Sequence, residues 1–162
     1  MALTCDEIGE AIFNALGNST AILSKCDSLF GAIPTVYYGS TGRKAPPPED
    51  FPAFVVISWG KERGEDESNR IFNFTVGLTV HDENLTIETN EYGIKMVKYR
   101  GPKSLEELLD LAMTEIRGIS NELYFDDKNF DFEPIEYFPL FYGELTLTIS
   151  YPILIGGYEP TL

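Results

Sequence analysis

The chain has 162 residues, of which 43% are hydrophobic and 13% aromatic, a composition typical of a folded protein that buries a core. Twelve basic residues against 26 acidic residues give a formal net charge of −14. This balance argues against a protein that grips the phosphate backbone of a nucleic acid, which needs clustered Lys and Arg. It also argues against binding to anionic membranes.

The length predicts a single domain, residues 1–162. Cys5 and Cys26 are the two cysteines of the chain, too few for a disulfide framework. No basic segment precedes an apolar run at the N-terminus, which argues against a signal peptide. No apolar stretch approaches the length that a bilayer demands. We therefore expect a protein that is made in the cytoplasm and has no membrane span.

The first predicted element is a helix that begins at Thr4. The pattern Thr4-Cys-Asp-Glu7 is a capping box, and Gly17-Asn18-Ser19 ends the helix. The apolar residues of one helical face are Ile8, Ala11, Ile12, Ala15 and Leu16. A short strand over residues 35–38 follows, and then a proline-rich loop, residues 39–50.

Residues 52–83 predict a β-hairpin with a charged tip at residues 61–70. Its second strand alternates with a strict period of two, which places its apolar side chains on one sheet face. That face carries Phe72, Phe74, Val76, Leu78 and Val80, and the opposite, small and polar face carries Asn73, Thr75, Gly77, Thr79 and His81. Trp59 ends the first strand and is predicted to pack under the hairpin as an anchor, with a recognition role as the alternative.

The second half of the chain predicts a ribbon or arm, a helix and a strand pair. Residues 85–100 alternate weakly, which favours a second ribbon or an extended arm. Ser104-Leu-Glu-Glu107 is a second capping box, which predicts a helix whose apolar stripe is Leu105, Leu108, Leu109, Ala112 and Ile116. Residues 132–138 lead into an alternating strand at 143–151, which should end at Pro152. Its inward-facing residues are predicted to be Leu145, Leu147, Ile149 and Tyr151. The predicted fold class is α+β, an antiparallel or mixed sheet with two helices packed on one face.

No local motif predicts chemistry, so we expect no enzyme, no catalytic residues, no cofactor and no metal. The segment 39–44 misses the spacing of a phosphate-binding loop. Residues 127–131 open like a calcium loop, yet Phe132 and Phe138 occupy positions that need glycine and glutamate, so an acidic surface turn is the better interpretation. His81 is the single histidine and is expected to be an ordinary surface residue.

Charge is segregated along the chain. Residues 92–103 contain four bases and no acid, whereas residues 121–162 contain eight acids and one base. Oppositely charged patches suit complementary contact between neighbouring subunits; ordinary solvated loops are the alternative. The predicted subunit interface joins Lys95, Lys98, Arg100 and Lys103 of one copy to Asp126, Asp127, Asp131 and Glu133 of the next.

The order of these parts resembles a known family. The segments that carry the likeness are KAPPPEDFPAFVV, the strand FTVGLTV, the helix SLEELLDLAMTEI and the closing strand ELTLTISYPI. In this order the chain resembles the tail terminator (tail-completion) proteins of long-tailed bacteriophages, which include minor tail proteins at the head-proximal end of the tail. The likeness covers most of the chain, and residues 85–100 form a longer arm than the pattern contains.

The resemblance implies a structural virion protein. Such a protein forms a ring, commonly a hexamer, that caps the tail tube, ends tube polymerisation and offers a surface to the head–tail connector protein. Its implied partners are copies of itself, the tail tube protein and the connector, with no specific nucleic-acid binding and no membrane. One alternative is a head-closure, neck or baseplate protein. Another is a small-molecule-binding or enzymatic domain whose pocket wall would be Tyr137, Phe138, Phe141 and Tyr142.

Overall fold

A computed structural model describes residues 3–39, 46–61, 69–132, 138–153 and 160–162, and for 127–132 it describes the backbone alone. The helices in this part of the chain are α1 (Cys5–Gly17), α2 (Thr20–Phe30) and α3 (Gly101–Arg117), with a 3₁₀ turn at Pro48–Asp50. The strands are β1 (Thr35–Tyr38), β2 (Ala53–Lys61), β3 (Asn69–His81), β4 (Leu85–Thr89), β5 (Lys95–Tyr99), β6 (Tyr124–Phe132) and β7 (Leu140–Pro152).

The first two helices form a pair that the chain caps at three points. The Thr4 side chain accepts a hydrogen bond from the amide of Glu7, and the Glu7 carboxylate accepts one from the amide of Thr4, so the predicted capping box is confirmed. Ser19 then caps α2 by accepting from the amide of Ile22 at 3.1 Å. Gly31 ends α2 in the left-handed conformation, with φ of 61°, where glycine has no steric penalty.

The main sheet has five strands in the order β1-β2-β3-β7-β6. β1 pairs with β2 in parallel, and the other neighbours are antiparallel. The fold class is therefore α+β with a mixed sheet and helices on the sheet, as predicted. β4 and β5 form a separate two-stranded sheet, which confirms the predicted ribbon at residues 85–100.

One face of the sheet carries the hydrophobic core. The predicted apolar residues of β3 are all buried, and so are Leu145, Leu147, Ile149 and Tyr151 of β7. α1 packs on β1 and β2, and α3 packs on β3 and β7. The predicted stripe of α3, from Leu105 to Ile116, is likewise buried. Burial of one such side chain contributes about 1.5–3 kcal/mol, so this shared core positions every other element.

The beginning of α3 differs from the prediction. The helix begins at Gly101, one turn earlier, and Arg100 occupies the cap position. Pro102 fits the first turn because the first helical amides have no partner within the helix. Ser104 therefore does not cap the helix: its hydroxyl is buried and donates to Asp82 at 3.3 Å.

The end of the chain also differs. In the described residues, β6 pairs with β7 and covers Tyr124–Phe132, so it begins eight residues before the predicted segment 132–138; residues 133–137 of that prediction lie outside the described part. Residues 127–131 are strand with an irregular register between Asp127 and Phe130 rather than a surface turn. β7 ends at Pro152 as expected, because proline has no amide to donate. No helix in the described residues is long and apolar enough to cross a membrane.

Candidate assembly surface

The arm, residues 85–100, is the most unusual part of the surface. Its strands β4 and β5 pair with each other in the register Leu85↔Tyr99 to Thr89↔Lys95, and they pack mainly on each other. Almost every residue of both strands is exposed. A two-stranded hairpin alone is marginally stable in water, so something at the base must hold this arm in place.

A buried ion pair provides that attachment. Asp82 follows β3 and is 1% exposed, and Arg100 ends the arm. Arg100 donates to the Asp82 carboxylate through Nε at 2.7 Å and Nη2 at 3.0 Å. This two-point geometry is the strong form of an Arg–carboxylate pair. Arg100 Nη2 also donates to the carbonyl of Leu29 at 2.7 Å, which ties the arm to α2.

Asp82 gathers further donors around the same carboxylate. The Asn84 amide donates to it at 2.9 Å, the Asn84 side chain at 3.0 Å and the Ser104 hydroxyl at 3.3 Å. Burial alone would raise the pKa of Asp82, but the hydrogen bonds from Arg100 and Asn84 outweigh burial and hold the pKa below its ordinary value. The cluster of Asp82, Arg100, Asn84 and Ser104, called here the mount, therefore stays charged and fixes the direction of the arm.

The arm has one apolar face. Residues directly opposite each other in an antiparallel pair share a face, so the register places Leu85, Tyr99, Ile87 and Val97 together. Ile87 is 57% exposed and Val97 is 42% exposed. The ring of Tyr99 lies 5.0 Å from that of Phe138 on the body, so the apolar face continues from the arm to the domain. Exposed apolar surface of this kind marks interaction sites.

The opposite face of the arm borders a basic cleft. Thr86 pairs with Lys98 and Glu88 with Met96 on that face. The cleft has a volume of about 670 Å³ and lies between this face and the start of α3, where Lys103 completes its rim. The cleft is an open groove lined by charged and neutral side chains, and it places positive charge on the face of the arm opposite the apolar face.

The predicted interface residues are only partly brought together. Lys95 and Lys98 are exposed on β5, and Lys103 is exposed on α3, where its Nζ lies 3.7 Å from Glu107. Arg100 directly follows β5, but its side chain forms an ion pair with Asp82 of the same chain. Asp126 is exposed on the edge strand β6. Asp127 and Asp131 belong to β6, where the structure describes their backbone but not their side chains. Glu133 lies outside the described residues.

A second surface feature lies at the β1 edge of the main sheet, opposite the edge formed by β6. A groove of about 460 Å³ runs between α1, α2 and β1, and we call it the β1 groove. Its apolar lining includes Phe13, Leu16, Leu23, Ile33 and Val36. Ile33 is 78% exposed. In the sheet that the described residues form, β1 is an edge strand paired on one side with β2, and within that part of the chain its other side presents unpaired backbone groups.

The aromatic residues proposed as a pocket wall do not share one surface. Phe141 faces the core, with its ring packed over Gly101. Tyr142 lies on the outer face, where its hydroxyl approaches Gly77 and donates to Glu144 at 2.9 Å. Adjacent residues of a strand point to opposite faces, so these two side chains cannot line one pocket. Tyr137 lies outside the described residues.

Trp59 and His81 are both exposed. Trp59 is 68% exposed, and its Nε1 donates to the hydroxyl of Thr75 at 2.7 Å. Thr75 alternates with the core-facing Phe74 and Val76 and therefore points to the outer face. The hydrogen bond to Thr75 places the indole on that face, so the prediction that Trp59 packs as an anchor under the hairpin is wrong. The indole instead covers part of the polar face, where Thr75 is buried. His81 lies 3.6 Å from Glu83 at the surface, as expected.

Reasoning from the sequence missed Asp82 as the central residue of the site. Its one signal was the run Asp82-Glu83-Asn84 directly after a long strand, because Asp and Asn are common in turns. The described residues contain no group of three or more His, Cys, Asp or Glu side chains able to hold a metal ion. A scan against protein-family models and a search of curated proteins both found no match to this chain. Its function must therefore be argued from its own residues.

Proposed function

We propose that this chain is a structural virion protein that assembles through its arm into a ring and caps the head-proximal end of a phage tail tube. In that position it ends tube polymerisation and provides the head-joining surface. The observation that carries the proposal is the arm itself: a rigidly mounted hairpin whose apolar face is exposed to water. The order of helices and strands supports the same proposal through its resemblance to tail terminators.

The arm favours assembly because no described residue outside the arm covers Ile87 and Val97 of its apolar face, which remain substantially exposed. Ile87 and Val97 stand side by side on the arm's apolar face, and both are substantially exposed. Removing such surface from water gains about 25 cal/mol per Å², and a partner subunit supplies the required cover. The mount holds the arm in one direction, so little conformational entropy is lost on docking.

A ring follows when the arm of one copy docks on a different surface of the next. Such a head-to-tail contact closes into a ring if its rotation divides a full turn. The basic side chains Lys95 and Lys98 add attraction to an acidic neighbour surface. The predicted pairing with the acids of residues 121–162 stays a prediction. The net charge of −14 also suits a channel that lets DNA pass without adhering.

The test is the mass of the protein in solution, with and without purified tail tubes. We expect the wild-type chain to form a ring and to bind tube ends, seen by light scattering and negative-stain microscopy. Val97→Asp, on the apolar face, should yield monomers. Ser24→Asp, an added acid at an exposed position of α2 outside the arm, is the matched control, and its ring should persist.

Two results would count against the proposal. A wild-type chain that stays monomeric at tens of micromolar, and leaves tube length unchanged, would exclude the capping role. A ring that ignores tube ends but binds a connector or baseplate component would place the protein elsewhere in the virion.

A further inference from the structure

We propose that the arm of one copy adds as a strand to the β1 edge of the next copy, with its apolar face seated in the β1 groove. This inference rests on the proposed ring and names the β1 edge as the surface that receives the arm, in place of the acids of residues 126–133 that the charge pattern suggested. The occupant is a second copy of this chain, and the contact runs from β5 of one subunit to β1 of its neighbour.

Among the described residues, each of the two strands pairs on one side only. β1 pairs with β2 in the sheet, and β5 pairs with β4 in the arm. Each therefore presents a row of backbone donors and acceptors on its second side. The four residues of β1 and the five of β5 differ in length by one, so one strand can continue the sheet of the other along all of β1. Strand addition of this kind supplies affinity through backbone hydrogen bonds.

The apolar surfaces also match. Val36 lies on the helix side of β1 and lines the β1 groove beside Phe13 and Ile33. On the arm, Val97 and Ile87 belong to the apolar face. Setting Val97 opposite Val36 brings the apolar face of the arm over the groove, where Ile33 loses its contact with water.

Charge selects the direction of the strand. On the helix side of β1, the Tyr38 hydroxyl donates to Asp6 at 2.8 Å. The nearby charges of Asp6 and Glu10 help to raise the pKa of Tyr38 to about 12, after the larger effect of burial and the hydrogen bond to Asp6. With Val97 opposite Val36, an antiparallel β5 places Lys95 opposite Tyr38, beside these two acids. A parallel β5 places Tyr99 there instead.

The outer side of β1 carries acids as well. The Tyr37 hydroxyl donates to Asp50, and the pKa of Tyr37 is raised first by this hydrogen bond, then by burial and by the charges of Asp50 and Glu49. Lys98 lies on the other face of β5 from Lys95, because it pairs with Thr86. In the antiparallel register Lys98 lies opposite Thr35, within diagonal reach of the Tyr37 position. Lysines on both faces of the arm thus meet acids on both faces of the edge.

A disulfide between two chains tests the register. Val97→Cys and Val36→Cys are made in separate chains that both carry Cys5→Ser, then mixed and oxidised. Directly opposed residues of an antiparallel pair have Cα atoms about 4.5–5.5 Å apart, within the range that a disulfide accepts. Cys26 stays inert because burial raises its pKa to about 12. The matched control replaces Val36→Cys with Tyr124→Cys, on the opposite edge strand β6.

The expected result is a cross-linked dimer from Val97→Cys with Val36→Cys and at least tenfold less product with Tyr124→Cys. A ring of normal mass whose arm cross-links to Tyr124→Cys, or to neither site, overturns the inference and leaves the ring standing. A chain that is monomeric and forms no cross-link overturns both the inference and the proposed ring.

A second measurement tests the direction of the strand. Lys95→Glu should weaken the ring in low salt, and Glu10→Lys in the same chain should restore it. A ring unchanged by Lys95→Glu contradicts the antiparallel register.

Discussion

Replacing Asp82 with Asn is the most direct test of the mount. The substitution keeps the size of the side chain but removes its charge and turns one acceptor atom into a donor. In the native chain the two Asp82 oxygens accept from Arg100, Asn84 and Ser104 over distances of 2.7–3.3 Å. After the change, the new amide faces donors that it cannot satisfy.

The magnitude follows from the burial of the two partners. Breaking a buried ion pair by removing one partner costs about 3–5 kcal/mol. Here Asp82 is fully buried, but the Arg100 side chain is 33% exposed, so water recovers part of the loss. We therefore expect Asp82→Asn to lower the free energy of unfolding by about 2–4 kcal/mol. For a domain of this size each kcal/mol shifts the melting temperature by about 2–4 °C.

The assay is urea unfolding as a function of pH, on a Val97→Asp background so that assembly adds nothing to the measured stability. Because the native pKa of Asp82 lies below its unfolded value of about 3.9, its contribution is complete above that pH. It is lost as the pH falls through the native pKa. The gap between wild type and Asp82→Asn should therefore be widest near neutral pH and close in acid.

Glu88→Gln provides the matched control, since Glu88 is an exposed acid on the arm itself and its loss should change stability by less than 0.5 kcal/mol, about the usual range for a surface site. If Asp82→Asn is as stable as Glu88→Gln at pH 7, the stabilising role of the mount is refuted. So would a stability gap that stays constant from pH 7 down to pH 2.

Two further predictions concern packing and exposure. Gly101→Ala should destabilise the fold by about 1–3 kcal/mol, because the added Cβ would lie 2.2 Å from the Phe141 ring. Gly17→Ala is the control, since its added Cβ meets nothing within 4 Å. Equal effects of the two substitutions in urea unfolding would contradict the packing of Phe141 over Gly101. Trp59 is 68% exposed, so its fluorescence should peak near the wavelength of indole in water and be quenched readily by acrylamide. A blue-shifted emission that acrylamide does not quench would show that the indole is covered. Repeating the measurement on the Val97→Asp monomer distinguishes cover by a neighbouring subunit from cover by the fold.

The faces of the elements could be predicted from the sequence because their signals are periodic and local. Alternation in β3 and β7, and the apolar stripe of α3, assigned the buried side chains correctly without knowledge of their neighbours. The helix α2 was missed because Ser19 was interpreted as part of the stop after α1. The same Ser19 begins the next helix by capping it, and a Ser directly after a helix end carries both meanings.

The candidate site could be predicted only in part, because its central contact joins distant residues. Arg100 was assigned by its charge to a contact with another subunit, whereas the structure pairs it with Asp82 of its own chain, 18 residues away, which was not considered. No local pattern relates the end of a long strand to the cap of a helix across an intervening hairpin. Likewise, the exposure of Trp59 depends on the outer sheet face, which the aromatic character of the residue does not reveal.

The mount has a consequence for how subunits would join. Arg100 links the arm to β3 through Asp82 and to α2 through Leu29, while Ser104 of α3 donates to the same carboxylate. A load applied to the hairpin is therefore distributed over three elements of the core instead of bending a hinge. The arm of each subunit would therefore already have a fixed direction when two subunits meet. The angle between neighbouring subunits would then be set during folding and not during assembly.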